Sequence, residues 1–185
     1  MMTQRLILLA FISVFSSFGA NNPGSVPPPT NQAGVAPIAL QQFQGRWVVD
    51  KKNSPSAEFA PEDLTQEVKV NGDAIVVRSK FQAPKNGIYP IFWAGLTLPE
   101  LNLPVDGSPS DSMVGPFKYE FKTLRQGNQL YTDYQAAMDN AGNKGWLKGH
   151  WVHTLSDDGK WMWLQLDGTC SDGRTIKATL LFKKK

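Results

Sequence analysis

The chain has 185 residues, with 13 prolines, 6 tryptophans and a single cysteine, and a net charge of +3 at pH 7. Arg5 stands in the leading segment and Lys183, Lys184 and Lys185 close the sequence; without them the body carries about −1, which leaves no excess of positive charge to track phosphates, so no nucleic-acid partner is expected. One cysteine, Cys170, excludes an internal disulfide, and beside a tight turn it reads as buried and inert.

Residues 1–20 carry Arg5, an apolar run from Leu6 to Phe15, and the small residues Ser16, Ser17, Gly19 and Ala20. That is the pattern of a secretory signal peptide; the run is too short for a permanent span, which needs roughly 20 apolar residues. Residues 21–38 hold Pro23, Pro27, Pro28, Pro29 and Pro37 among Asn, Gly, Ser and Thr, a composition that stays extended and buries no core, so they read as a disordered linker. One folded domain is expected over 39–185 of a secreted or periplasmic protein, without a membrane span.

Phe43 to Asp50 opens this domain as a strand, with Trp47 and Val49 on one face and Arg46 and Val48 on the other. Leu64 to Val70 and Ala74 to Phe81 form a hairpin about Asn71-Gly72, in which Leu64, Gln66, Val68 and Val70, then Ile75, Val77, Ser79 and Phe81, share the buried face. Residues 83–116 depart from the pattern. Prolines 84, 90, 99, 104, 109 and 116 remove ladder donors and forbid a central strand, yet Ile91, Phe92, Trp93 and their apolar neighbours must pack on something. This Pro-rich apolar insertion is expected to act as a lid. Phe117 to Leu124 and Gln129 to Met138 make a further hairpin with Phe117, Tyr119, Phe121, Leu130, Thr132, Tyr134 and Ala136 inward, and Asp139 to Gly145 reads as a turn.

The C-terminal part, Gly145 to Lys183, is a β-meander turned at Ser156-Asp157-Asp158-Gly159 and at Ser171-Asp172-Gly173. A four-residue first loop sets Leu155 opposite Lys160. The inner face of the first hairpin then carries Leu147, Trp151, His153, Met162 and Leu164, and its outer face carries Trp146, Lys148, His150, Val152, Trp161, Trp163 and Asp167. Ile176, Ala178, Leu180 and Phe182 join the inner face only if the second loop holds an odd number of residues, as a three-residue loop with a glycine bulge would; a two-residue turn would instead bring Trp161, Trp163 and His150 inward.

Gly45-x-Trp47 on the first strand, the Asp50-Lys51-Lys52-Asn53-Ser54 that follows, and the closing meander with Thr154 to Lys160 together resemble the small lipocalin-like, calycin-type proteins that bacteria export. The resemblance implies an antiparallel barrel with Trp47 at its closed end, and a basic residue late in the last strand packed across Trp47, for which Lys183 is the matching position. The strand count, eight to ten, agrees with an all-β, up-and-down antiparallel barrel; a two-sheet sandwich is the alternative.

The catalytic inventory is thin. The sequence has no Gly-x-Ser-x-Gly, no His-Glu-x-x-His and no phosphate-binding glycine loop, and His150 and His153 point to opposite faces of a strand, so no metal or cofactor is expected. The expected function is binding of a small apolar or aromatic ligand inside the barrel, with Tyr119, Phe121, Tyr134, Trp151, His153 and Met162 as lining, Trp47 as floor, and Phe92 and Trp93 in the lid. A second reading is an envelope-interaction module that meets a protein or carbohydrate partner through an outer stripe of Trp146, Trp161 and Trp163. A third is a small enzyme with His153 as general base beside Tyr119 or Tyr134.

Overall fold

The computed structural model describes residues 39–82, 100–114, 117–140 and 143–185. Ten strands run in chain order: β1 (Gly45–Val49), β2 (Glu62–Asn71), β3 (Ala74–Gln82), β4 (Leu101–Pro104), β5 (Asp106–Val114), β6 (Phe117–Gln126), β7 (Gln129–Asn140), β8 (Asn143–Leu155), β9 (Trp161–Cys170) and β10 (Thr175–Lys184). They form one antiparallel sheet in the order β4-β3-β2-β1-β10-β9-β8-β7-β6-β5. Consecutive strands pair with one another except β4 and β5, which stand at the two ends of the order, and the β1–β10 pairing joins the two halves. β4 and β5 meet at the corner residue Val105, whose N–H donates to Asp73 O and whose O accepts from the Arg125 N–H. The sheet thus curls into a nearly closed up-and-down barrel.

The alternation seen in the sequence decides which residues fill it. Leu64, Gln66 and Val68 are buried on β2, Ile75, Val77 and Ser79 on β3, and Tyr119, Phe121, Leu130, Tyr134 and Ala136 on β6 and β7. Such alternation is what a sheet with one wet face requires. The β9–β10 loop holds three residues, since Cys170 N–H donates to Arg174 O and Gly173 takes φ +84°. This odd count puts Ile176, Ala178, Leu180 and Phe182 opposite Gly168, Leu166, Leu164 and Met162, all inward. A left-handed residue at that position is inexpensive only for glycine.

Three expectations change. The β8–β9 register sets Leu155 against Met162 rather than Lys160, because Ser156 N–H bonds to Trp161 O and the Ser156 hydroxyl closes a longer loop with Asp158 and the Trp161 N–H. The shift is by two residues, so both faces keep their assignment. Of the turn expected at Asp139 to Gly145, residues 139–140 and 143–145 are strand instead: Asp139 pairs with Lys144 and Asn140 with Asn143. The insertion supplies β4 and β5, in keeping with the count of eight to ten strands; they sit at the two ends of the strand order, where proline is tolerated. Finally, Lys184, not Lys183, lies across Trp47, its Nζ 5.0 Å from the ring centroid, because Lys184 shares the inward parity of Phe182 and pairs with Trp47.

One end of the barrel is closed. Leu40 and Phe43, in a 3₁₀ turn over Leu40–Phe43, are buried beside Trp47, and Trp47 Nε1 donates to Phe43 O at 2.8 Å. Lys184 Nζ donates to Gln42 O at 2.8 Å, and its Cε would collide with any side chain at Gly45. The turns at 72–73, 105, 127–128 and 156–160 lie at this same end, because β1 starts there and every second connection of an up-and-down sheet returns to it.

Candidate functional site

The inward aromatic residues expected from the sequence come together. Tyr119 stacks on Phe121 with centroids 6.0 Å apart, Phe121 tilts against Trp151 at 5.7 Å, and Tyr134 stacks on Trp151 at 4.9 Å. Their offset and tilted geometry is the one ring quadrupoles favour. All four are buried, as are Trp47 and Met162. Met162 and His153 lie nearer the closed end, and Trp47 forms the floor. Phe92 and Trp93, with the rest of the expected lid at 83–99, lie outside the described residues.

Polar groups mark one level of the interior. Gln66 Oε1, Ser110 Oγ, Tyr134 OH and Trp151 Nε1 are buried without a hydrogen-bond partner. Counted from the closed-end turns, Gln66 lies six positions before Gly72, Ser110 five after Val105, Tyr134 six after Asn128 and Trp151 five before Ser156. The four atoms form a loose belt: Ser110 and Tyr134 both pair with Phe121, Trp151 stacks on Tyr134, and Gln66 on β2 stands across the ring beside its ladder partner Trp47. Each unsatisfied buried polar group costs about 1–3 kcal/mol. Four of them together are comparable with the whole stability of a domain, about 5–15 kcal/mol. Elsewhere in the interior such groups are matched: Thr123 and Thr132 share a hydrogen bond of 2.9 Å between their hydroxyls.

Gln66 and Ser110 were not among the residues expected to line the site. The signal for Gln66 was present, since it interrupts the apolar face of β2 with an amide. Ser110 lies in a segment whose prolines hid an edge strand.

Burial pushes the Tyr134 hydroxyl pKa up and lowers His153 to about 4, so both are held uncharged near neutral pH. His153 pairs with Leu130 and Leu164, four positions along β7 from Tyr134, or about 13 Å at the rise of a strand. It therefore has neither a tyrosine partner nor a basicity suited to general-base work at pH 7.

The outer wall does not present the expected tryptophan stripe. Trp163 is 1% exposed, Trp161 is half-buried under Lys183, whose Nζ is 5.3 Å from the ring, and Trp146 is 45% exposed at the far end of the hairpin under Lys148. With the middle ring withdrawn, no continuous aromatic surface remains. His150 turns outward and stacks on Tyr131 at 5.6 Å. A shallow outer groove of about 530 Å³ crosses β6 to β9 over the backbone of Phe121, Tyr134, Gly149 and Gly168, walled by charges of both signs including Lys122, Asp133, Lys148 and Asp167. Among the described residues no cluster suited to a metal ion occurs, and no helix is long and apolar enough to cross a membrane.

Fold and interior together define an all-β, nearly closed antiparallel barrel with an aromatic and sparsely polar core. No protein-family model matches the chain, and no curated protein matches it in sequence. Among solved structures it is similar to zebrafish ileal bile acid-binding protein complexed with cholic acid, at 16% identity and TM-score 0.48, over 78% of this chain and 99% of that one. It is also similar to two secretory abundant heat soluble proteins of Ramazzottius varieornatus. One is 10% identical with TM-score 0.46, over 81% of this chain and 100% of that one; the other, protein 4, is 13% identical with TM-score 0.46, over 81% and 99%.

Proposed function

We propose that this is an exported, non-enzymatic binding protein whose barrel receives a small, largely apolar ligand. The observation that carries the reading is the belt of unpartnered polar atoms set among Tyr119, Phe121, Tyr134 and Trp151. A mostly apolar enclosure with a few convergent polar groups is the usual composition of a small-molecule site. A core selected for packing alone would fill those positions with aliphatic side chains. Export follows from the leader-like residues 1–20 and the proline-rich 21–38.

Tryptophan fluorescence tests it directly, because Trp151 stacks on Tyr134 within the belt. Titration with aliphatic, retinoid and aromatic compounds is expected to shift or quench emission and to raise the melting temperature, and Trp151→Phe is expected to remove most of the optical change. Absence of both effects across the panel would end the reading.

A further inference from the structure

Resting on that reading, we infer that the ligand carries an uncharged hydrogen-bonding group, such as an alcohol, ketone or amide, and that the barrel selects against its carboxylate counterpart. The belt offers a matched set: Gln66 Oε1 accepts, Trp151 Nε1 donates, and the Ser110 and Tyr134 hydroxyls do either. None of the four carries charge.

The inward positions of the described strands hold two cations, Arg125 and Lys184; Lys184 shares the neighbour Trp47 with Gln66, and both are remote from Tyr134, Trp151 and Ser110, where a charged head group would meet the belt. Arg125 lies beside the turn at 127–128, four positions from Phe121, where its Nε reaches Gly127 O. Lys184 is spread over Trp47 at the closed end and donates to Gln42 O. The described inward positions hold no Asp or Glu. The titratable groups facing the interior are Tyr119, Tyr134, His153 and Cys170; burial drives the last three towards their uncharged forms, raising Tyr134 and Cys170 and lowering His153. A carboxylate placed at the belt would lose its hydration without a cationic partner, and such a group takes up a proton instead. An alcohol or amide keeps its hydrogen bonds at no comparable cost.

The experiment is a fluorescence and calorimetric titration of the purified protein with dodecanol, dodecanamide and dodecanoic acid at pH 8 and pH 5. The expected result at pH 8 is binding of the alcohol and amide at least tenfold tighter than dodecanoate. At pH 5 the acid is partly protonated and the gap narrows, while the alcohol serves as control for any effect of pH on the protein. Tyr134→Phe and Gln66→Leu, both close in shape to the native side chains, are expected to weaken the alcohol or amide about five- to tenfold and to relax the preference. Dodecanoate binding as tightly as dodecanol at pH 8 would overturn the inference and leave the barrel reading standing. Failure of all three probes to bind, with no response to the wider panel, would remove the barrel reading and this inference with it. Unchanged affinity in both variants would overturn the assignment to the belt.

Discussion

Gly149 shows how closely the wall is built at single residues. A Cβ there would fall against the carbonyl oxygen of Asp167, 2.7 Å from Gly168 Cα and 2.8 Å from Tyr134 OH. Two of these are backbone atoms, so they cannot swing aside. Gly149→Ala is expected to destabilise the fold by about 2–3 kcal/mol, the scale of overpacking in a tight core, read as a lowered urea midpoint. His153 gives a second expectation at this scale. Its folded pKa, about 4, lies below the ordinary 6.5, so the unfolded chain binds the extra proton between these values. Stability is therefore full above about pH 6.5 and falls as pH drops towards 4, by up to about 3 kcal/mol. His153→Leu should flatten that slope in denaturation series at pH 7.5 and 4.5; an unchanged slope would show that His153 is not its source. The belt was half legible in the sequence. Alternation placed Tyr134 and Trp151 inward, but nothing in a linear pattern tells that their polar atoms lack partners, because that depends on what stands opposite.

At the scale of elements, β1 is short. It ends at Val49, and the chain from Asp50 to Ala60 takes over beside β10. Ser54 Oγ accepts the Leu181 N–H at 3.0 Å and donates to Asp50 O at 2.7 Å, while Ser56 Oγ accepts the Thr179 N–H. Two hydroxyls stand in for missing strand carbonyls. Ser54→Ala leaves the buried Leu181 N–H without an acceptor, which costs about 1–3 kcal/mol, and Ser56→Ala should cost less because Thr179 is only partly buried. Thermal melts of the two variants check the order. The sequence could not announce this device: Asn53 to Glu62, with Pro55 and Pro61, reads as a loop, and the partner of Ser54 lies 127 positions away. Hairpins were legible for the opposite reason. Gly173 and the alternation of Ile176, Ala178, Leu180 and Phe182 fix parity within a few residues, so the three-residue loop follows from local chemistry, whereas the β8–β9 register shifted by two because the Ser156 hydroxyl lengthens its loop.

For the whole molecule, the ladder between β1 and β10 is the seam that makes a barrel from a sheet. Trp47 sits on it, fully buried, with Phe43 and Lys184 across its indole. Trp47→Ala is expected to cost about 3–5 kcal/mol, as loss of a buried aromatic does, and to broaden the unfolding transition by freeing the closed end. The class of fold, a closed barrel, was readable from hairpin signals, strand count and the family resemblance, yet the register of the seam was not, since it depends on strands that never adjoin in sequence. The seam also has a consequence for synthesis. Its outermost bond, Lys184 to Gln42, spans 142 positions, and contacts of such separation form late and slowly, on the order of milliseconds to seconds. A ribosome that has delivered β1 to β9 has made a sheet whose first and ninth strands both present unpaired edges, open to a neighbouring nascent chain. Only the strand translated after residue 174 removes both edges at once, so a stall there would yield an assembly-prone fragment rather than a smaller version of the folded protein.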